Sequence, residues 1–280
     1  MKTKNTRVVK GYNNSAFMNS SSARPIRILS EFVEPLSRFQ HYKIHSTVVF
    51  FGSARIKSKF EINRLIRKNE TAYFKKQLSH KEYVNQKKRF KKLLDLSKYY
   101  DDAVELARLI TEWSLSLPEE KRIFVCSGGG PGIMEASNKG AKIAKGNSIG
   151  LNISLPHEQN PNKYISSHLN FEFHYFFMRK YWFMYLGKAL IAFPGGFGTI
   201  DEMMELLTLS QTKKIKKKIF VILYGKEFWD KIINFDELLN LELISKKDLE
   251  LFNYANSPQE AFNKLKTSLI KNYPKYFKNE

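Results

Sequence analysis

The chain has 280 residues, of which 42% are hydrophobic and 14% aromatic, so it carries enough apolar material for a core and a wholly disordered chain is excluded. Its single cysteine excludes an intrachain disulfide and a cysteine-rich metal site. Its 47 basic and 27 acidic residues leave a net charge of +20, which raises nucleic acid or an anionic membrane as a partner.

The positive charge is concentrated in the first hundred residues. Residues 1–54 carry eight basic and two acidic side chains, residues 55–100 carry fifteen and four, and residues 101–280 carry 24 and 21. No uncharged apolar run approaches the roughly 18 residues of a membrane-spanning helix, and no apolar signal-peptide region follows Met1. We therefore expect a cytoplasmic protein with no membrane partner, in a reducing compartment.

The amino-terminal part of the chain is predicted to start as a flexible arm and then to become helical. Residues 1–22 lack acids and have few large apolar residues, which is typical of an arm. Apolar spacing predicts an amphipathic helix over residues 24–42, and the β-branched and aromatic run Thr47–Phe51 predicts a buried strand. Residues 57–100 contain no Pro or Gly and predict one or two basic helices, inserted before a further helix over residues 101–117.

From residue 123 onward, predicted strands and helices alternate. The strands are predicted at residues 123–126, 148–153, 170–173, 189–193 and 218–223. The helices are predicted at residues 133–145, 174–188, 199–211 and 228–233. This alternation predicts an α/β fold with a Rossmann-like parallel sheet and helices on both faces, plus an N-terminal helix and the basic helical insertion. We assign residues 23–280 to this single domain.

Three glycine-containing turns follow predicted strands, at residues 52–55, 127–132 and 194–199. In a parallel sheet of this kind, ligands bind at the edge formed by the carboxyl ends of the strands. Glycine lets backbone N–H groups approach an anion, and the next helix presents its positive end to it. One such turn often reflects tight packing alone, but three at one edge favour a phosphate-bearing ligand.

The class of phosphate ligand can be narrowed. A dinucleotide fingerprint needs an acid about 20 residues after its first glycine. Counting from Gly128 reaches Ser148, and the strand there runs past Asn152 without an acid, so NAD is disfavoured. No Gly-Lys-Ser/Thr occurs, which disfavours an ATPase or GTPase. A nucleoside monophosphate or a sugar phosphate fits better.

Glu202 has two interpretations. The stretch TIDE at residues 199–202 has the T-x-x-E pattern of a capping box at a helix start, which alone would explain Thr199 and Glu202. The stretch also follows the third glycine turn directly, so the carboxylate could reach a ribose or a water at the binding edge instead. The residues alone leave both interpretations open.

Arg179 and Lys180 lie in an aromatic-rich predicted helix that is apolar on every side and therefore buried. A buried cation needs an anionic partner. We predict that Arg179 lines a pocket, whereas for Lys180 a structural salt bridge or a side chain extended to water weighs about equally. Cys126 is more typical of a small core residue than of a nucleophile, and no histidine shows metal-ligand spacing.

Four segments resemble motifs of the LONELY GUY (LOG) family: PGGFGTIDE at residues 194–202, MRK at 178–180, SGGGPGIMEA at 127–136 and FGSAR at 51–55. The resemblance covers residues 48–56 and 101–233, and residues 23–29 look like the amino-terminal element of longer bacterial members. Compact members lack the insertion at residues 57–100, so the preferred base stays open.

The resemblance implies a phosphoribohydrolase, usually a homodimer or a higher homo-oligomer. Such an enzyme hydrolyses the N-glycosidic bond of a nucleoside 5′-monophosphate, such as AMP or a cytokinin ribotide, to free base and ribose 5-phosphate. Glu202 would stabilise positive charge on the ribose or orient water, and Arg179 would position the nucleotide and stabilise negative charge. No cofactor and no metal are implied. Members are often labelled lysine decarboxylases, but no spacing here supports a pyridoxal phosphate lysine.

The resemblance also implies a set of substrate-binding residues. The N–H groups of Gly195, Gly196 and Gly198, with the Thr199 hydroxyl, would hold the 5′-phosphate. The other implied substrate-binding residues are Gly52, Ser53, Gly129, Gly130, Met134, Glu135 and Lys180. Two other classes stay open: a non-catalytic nucleotide or cofactor carrier of the same fold, and a nucleic-acid-binding protein acting through residues 57–100. A solvated basic face is favoured over the latter.

Overall fold

In the computed structural model, which describes residues 8–155 and 160–277, the centre of the molecule is a parallel sheet. Its described strands are β1 (Thr47–Phe51), β2 (Phe124–Ser127), β3 (Ser148–Ile153), β4 (Asn170–Phe173), β5 (Gly187–Ala192), β6 (Phe220–Tyr224) and β7 (Phe252–Ala255). Their order is β4-β3-β2-β1-β5-β6-β7, and each neighbouring pair is parallel. The chain runs outward from β1 in one direction and then from β5 in the other, so the topological switch point lies between β1 and β5.

Helices cover this sheet. Those in the described ranges are α1 (Ser15–Met18), α2 (Arg24–His41), α3 (Lys59–Phe74), α4 (His80–Leu115), α5 (Ile133–Ile143), α6 (Phe176–Leu186), α7 (Phe197–Gln211), α8 (Lys226–Ile232), α9 (Phe235–Asn240), α10 (Pro258–Asn272) and α11 (Pro274–Phe277). Single 3-10 segments lie at Gly11–Asn13, Glu119–Lys121, Ser167–Leu169 and Lys246–Leu251. None of the helices in these ranges is long and apolar enough to cross a membrane.

Two hydrophobic cores lie on opposite faces of the sheet. On β1, Val49 and Phe51 belong to the core under α2, α6 and α7, whereas Val48 and Phe50 belong to the core under α4, α5 and α10. Side chains alternate along a strand, so a strand buried on both faces has no polar positions. This explains the uninterrupted apolar run at β1 and confirms the predicted α/β fold with helices on both faces.

The insertion and the next helix are joined in a way that the sequence analysis missed. The predicted boundary at residue 100 is wrong, because α4 is one continuous 36-residue helix. Ser79 starts it with a capping box to Glu82, and the helix contains no Gly or Pro. The insertion therefore consists of α3 and the first half of α4. We call α3 together with residues 80–98 of α4 the basic hairpin.

Both ends of the described chain contain elements that the sequence patterns did not predict. Within the predicted arm, residues 8–22 contain a 3-10 turn and the four-residue α1, and residues 1–7 lie outside the described residues. After residue 233, where the sequence patterns predicted nothing, β7 extends the sheet beside β6 and α10 packs on α4. The four-residue β7 is too short for a periodicity argument.

Candidate active site

A cavity of about 300 Å³ lies at the carboxyl ends of β1, β2, β3 and β5, next to the switch point. All three glycine-containing turns contribute to its wall, so the structure brings together segments that are distant in sequence. The predicted site residues that line it are Gly52, Ser53, Gly130, Met134, Arg179, Gly196, Gly198, Thr199 and Glu202. Arg55 also lines it and adds a second cation.

Two backbone hydrogen bonds join the three turns. The Ser53 N–H donates to the Pro194 carbonyl (3.0 Å), and the Ile133 N–H donates to the Ser53 carbonyl (3.2 Å). Gly132 makes the second approach feasible: its φ is +72°, and a Cβ there would lie 2.3 Å from the Ser53 carbonyl oxygen. A side chain would therefore push the second turn away from the first.

The start of α7 faces the cavity. Gly196 is its N-cap, and among the described residues no side chain caps this end. A Cβ on Gly196 or Gly198 would meet nothing within 4 Å, so neither glycine is required by packing against the protein. Both instead leave backbone open to the cavity. The free N–H groups and positive end of this 15-residue helix favour an anion.

Glu202 does not belong to a capping box. Thr199 is the third residue of α7 rather than its N-cap, because the helix begins two residues earlier than predicted, at Phe197. The capping interpretation is therefore wrong. Glu202 lies inside the helix, where its side chain is 3% exposed and lines the cavity.

The charge of Glu202 is only partly compensated. Its Oε2 accepts no hydrogen bond from any residue that the structure describes. The nearest cations are Arg179, whose Nη2 lies 3.9 Å from Oε1, and Lys180, whose Nζ lies 3.9 Å from Oε2. Burial raises the pKa of Glu202 to about 7, against the lowering effect of the two cations. A carboxyl group that titrates near neutral pH in a cavity wall is a candidate for catalysis.

Arg179 lies in the cavity wall, as predicted, together with the second cation Arg55. The guanidinium of Arg179 lies over the rings of Phe176 and Phe183, at 5.2 and 5.6 Å from their centroids. Its Nε donates to no described group. Burial lowers the pKa of Arg179, and the carboxylate of Glu202 opposes that shift. Because Arg179 lines the cavity, its guanidinium is a candidate partner for an anionic or carbonyl group of a ligand.

Lys180 points away from this cavity. Its Nζ lies 2.7 Å from Oδ2 of Asp201 and donates to Oε2 of Glu205 at 2.8 Å. Burial alone would lower the pKa of Lys180, but these two hydrogen bonds outweigh it and the pKa is raised. Of the two interpretations of Lys180, the structural ion pair fits this geometry, and direct substrate contact does not.

Three further predicted residues lie beside the cavity rather than in its wall. Gly129 has a φ of +74°, and its carbonyl oxygen accepts two hydrogen bonds from Asn162 in the loop after β3. Glu135 accepts a hydrogen bond from the hydroxyl of Tyr100 (2.7 Å). A Cβ on Gly195 would overlap the side chain of Thr199. These positions support the turns, so we expect the structural part of their role to dominate.

Sequence reasoning missed Asn152, Phe176 and Phe197 as lining residues. Asn152 lies at the carboxyl end of β3, and that position is the signal that would have found it. Phe176 lies one helical turn before Arg179, and Phe197 lies within the third glycine turn. Both rings are at least half exposed, so they offer faces on which a planar base can stack.

A comparison with protein families matches the part of the chain that carries most of this site. Residues 134–265, slightly under half of the chain, match the family model described as "Possible lysine decarboxylase". This segment is therefore similar to the LOG family, whose members carry that label. The matched residues include both Arg179 and Glu202, so the family resemblance and the cavity coincide.

Solved structures similar to the chain include those of two proteins. TM1055 is 18% identical, with 79% of this chain and 99% of that chain covered and a TM-score of 0.47. The Moco carrier protein from Chlamydomonas reinhardtii is 17% identical, with 81% and 98% covered and a TM-score of 0.48. A second structure of that carrier is 15% identical, with 80% of this chain and 98% of that chain covered and a TM-score of 0.40. No curated protein sequence matches the chain.

The family description implies pyridoxal phosphate, and the residues that line this cavity do not fit that group. Such a cofactor is held on a lysine as a Schiff base. Among the described residues that line the cavity there is no lysine, and Lys180 is held by carboxylates behind the wall. Likewise, residues 8–155 and 160–277 contain no cluster of three or more His, Cys, Asp or Glu that could hold a metal ion.

Proposed function

We propose that the protein hydrolyses the N-glycosidic bond of a nucleoside 5′-monophosphate, such as AMP or a cytokinin-like ribotide, to free base and ribose 5-phosphate. The observation that carries this proposal is the buried Glu202. Its carboxyl group lines the cavity, has one oxygen free of hydrogen bonds from described residues, and has a pKa raised to about 7. Such a group is suited to stabilise positive charge that forms beside it.

The size and polarity of the cavity support a mononucleotide. A volume of about 300 Å³ is at the lower end of the range for small-molecule sites, which suits one nucleotide better than two. The start of α7 and Arg55 favour the 5′-phosphate. The rings of Phe176 and Phe197 offer apolar surface to a base.

These positions support the following course for the proposed reaction. The base leaves with the electron pair of the C1′–N bond, and positive charge develops on C1′ and the ring oxygen of the ribose. The Glu202 carboxylate stabilises that charge. Arg179 donates hydrogen bonds that stabilise the negative charge on the departing base. The oxygen of a water molecule then bonds to C1′, and a water proton goes to the base.

The test is release of free base from AMP, GMP, CMP and UMP, measured by chromatography. We expect at least one nucleotide to be hydrolysed, and Glu202→Gln to lower kcat by about 100-fold or more while the folded spectrum is kept. Glu250→Gln is the control, because Glu250 is exposed and does not line the cavity. Full activity of Glu202→Gln would contradict the mechanism. Saturable nucleotide binding without base release would instead favour the non-catalytic carrier.

We further propose that the protein acts as a cytoplasmic homodimer. The carbonyl of Glu31 on α2 accepts a hydrogen bond from the indole of Trp182 on α6 (3.0 Å), so the two helices are in contact. Together they expose large apolar side chains: Ile26, Leu29, Val33, Phe177, Tyr181 and Tyr185. Exposed apolar side chains on two adjoining helices favour a protein–protein interface. A second copy of the chain would cover these side chains.

A further inference from the structure

Asn152, near the carboxyl end of β3, brings a side-chain amide into the wall of the candidate active site. The residue is 5% exposed, and its Nδ2 donates to Oδ1 of Asn170 (2.6 Å) and to the carbonyl oxygen of Phe171 (2.8 Å). Because a backbone carbonyl can only accept, the second bond fixes which end of the amide is the NH2 group. The NH2 group therefore points toward β4, and the amide oxygen points the other way.

The oxygen of this amide faces the second glycine turn. A Cβ on Gly129 would lie 2.0 Å from Oδ1 of Asn152, so the absence of a side chain at Gly129 leaves room for the oxygen. No described residue donates a hydrogen bond to Oδ1, yet this oxygen is not one of the fully buried atoms that lack a partner. It therefore keeps some accessible surface, and Asn152 lines the cavity. The wall thus carries a hydrogen-bond acceptor whose direction is fixed.

Asn152 lies at the opposite end of the cavity from the start of α7. That helix follows β5, and β3 is three strands away from β5 in the sheet. Neighbouring strands are about 4.8 Å apart, so the two ends are separated by about 14 Å. In a nucleotide whose phosphate is at the start of α7, the ribose hydroxyls lie near the phosphate and the outer edge of the base is the far end. The position of Asn152 therefore matches the edge of a base better than it matches a ribose.

The wall around Asn152 suits an aromatic ring. Ile153 and Leu155 follow it in the chain and line the same cavity, as do Met134 and Phe176. Apolar contacts hold a base without separating one base from another, so discrimination depends on a polar group. Among the described lining residues, Asn152 carries the only side-chain amide. A fixed acceptor favours a base that brings a donor and disfavours one that brings a second acceptor.

We propose that Asn152 is a specificity-determining residue that recognises the amino group of a 6-aminopurine, through a hydrogen bond from that amino group to Oδ1. The proposal rests on the proposed function for the placement of the nucleotide, with its phosphate at the start of α7. A 6-oxopurine would place its carbonyl oxygen against Oδ1, with no proton between the two acceptors. A purine substituted once on the amino nitrogen keeps one N–H and still satisfies Asn152.

The test is calorimetric titration of Glu202→Gln, in which hydrolysis should not consume the nucleotides, with AMP, purine riboside 5′-monophosphate, IMP and ribose 5-phosphate. AMP should bind about tenfold more tightly than purine riboside 5′-monophosphate, which lacks the amino group. It should exceed IMP by about tenfold or more, because IMP leaves both acceptors unsatisfied. This comparison of ligands needs no change at Asn152.

A variant assigns the preference to the side chain. In the same background, Asn152→Ala should bind AMP and purine riboside 5′-monophosphate equally and should bind ribose 5-phosphate as before. Asn162→Ala is the matched control, because Asn162 is another buried amide, which hydrogen-bonds to the carbonyls of Gly129 and Gly130 but does not line the cavity. The control should keep the preference for AMP. Circular dichroism checks that each variant is folded.

Three results would overturn the proposal. The first is equal binding of AMP and purine riboside 5′-monophosphate, and the second is a preference for AMP that survives in Asn152→Ala. The third is weaker binding of ribose 5-phosphate by Asn152→Ala, which would place a ribose hydroxyl at Asn152. Selective binding of AMP by a parent protein that releases no base would support the role of Asn152 while contradicting the proposed function. Base release without any preference among the three nucleotides would contradict the role of Asn152 alone.

Discussion

Lys180 neighbours three carboxylates of α7, and among them Glu202 is the one that lines the cavity. Its Nζ contacts Asp201 and Glu205 directly but stays 3.9 Å from Glu202. Burial raises the pKa of Glu202, and the charge of Lys180 lowers it. In the proposed reaction, Lys180 would therefore be a positioning residue that acts through the ionisation of Glu202 rather than through the substrate.

This arrangement predicts the pH dependence of the proposed reaction. The Glu202 carboxylate is the form that stabilises a positive ribose, and its pKa is raised to about 7. We therefore expect kcat/KM for base release to be low in acid and to rise as the pH increases through about 7. Lys180→Met removes a cation that favours the ionised form, so the pKa of Glu202 should go up and the rise should move to higher pH.

The measurement is a pH–rate profile from about pH 5 to about pH 9 for both proteins. Lys188→Met is the matched control, because Lys188 is another partly buried lysine and lies on β5, where it contacts the rings of Tyr273 and Tyr276. Its profile should be that of the unaltered protein. An unchanged midpoint in Lys180→Met, with kcat lowered at every pH, would show that Lys180 has no influence on Glu202.

The sequence predicted which charged residues belong to the site better than it predicted the contacts of their side chains. An arginine in an all-apolar helix needs an anion, and this argument placed Arg179 in the pocket wall. The same argument could not separate Arg179 from Lys180, because adjacent residues of a buried helix differ only in the direction of their side chains. The capping box was misplaced because Gly196, rather than Thr199, is the N-cap of α7.

Glycine is present at positions 132 and 196 for different physical reasons, so replacing each by alanine should have a different effect. Gly132→Ala places a Cβ against the Ser53 carbonyl at a positive φ, so we expect a loss of about 2 to 4 kcal/mol in the free energy of unfolding. Gly196 has φ −97° and ψ −152°, which any residue adopts, and open space around its Cβ. Gly196→Ala should change stability by less than about 0.5 kcal/mol.

Urea unfolding measures the stabilities, and titration with ribose 5-phosphate measures binding. Gly196→Ala should weaken binding about tenfold, because the new methyl group occupies the cavity in front of the N–H groups of α7. If Gly196→Ala instead bound normally, the start of α7 would not be the phosphate site. If Gly132→Ala were as stable as the parent, the close approach of the first two turns would be wrong.

Strands buried on both faces were easy to predict, since β1 and β5 contain continuous apolar runs at residues 48–51 and 189–192. Helix boundaries were harder. The boundary drawn at residue 100 followed a change in composition, but a helix stops at a cap or a breaker, and none occurs until Ser116. After residue 233, the four-residue β7 depends on a sheet that the local sequence does not show. The helix α10 did carry a signal, because its buried residues Ala261, Leu265 and Leu269 are spaced four apart.

For the whole molecule, the exposed apolar side chains of α2 and α6 predict the oligomeric state. Light scattering should give twice the mass of one chain, and the double variant Leu29→Glu, Phe177→Glu should give a monomer because it places charge among these side chains. Phe74→Glu is the matched control, since Phe74 is also exposed but lies at the end of α3. A monomeric parent protein, or a double variant that keeps the dimer mass, would contradict the proposal.

More than half of the net charge of +20 lies in one part of the structure. The fifteen basic side chains of residues 55–100 are carried largely by the basic hairpin, whereas the sequence from residue 101 onward, which holds Arg179 and Glu202, is close to neutral. Composition alone suggested a polyanion as partner for the whole protein. The distribution of the charge along the chain separates two regions. The nearly neutral region holds the cavity that we propose for one phosphate, and the positive region is the surface of the two helices of the basic hairpin.

Because α4 passes from the hairpin into the core without a break, it spans about 54 Å as one rod. Its far half packs on α5, whose first turn supplies Met134 to the cavity. The basic hairpin is therefore held rigidly by the core rather than joined to it by a flexible linker. Deleting residues 57–100 would remove the first part of α4, including the buried Tyr99 and Tyr100, from the core. The free end of the hairpin consequently has a fixed direction and distance relative to the cavity.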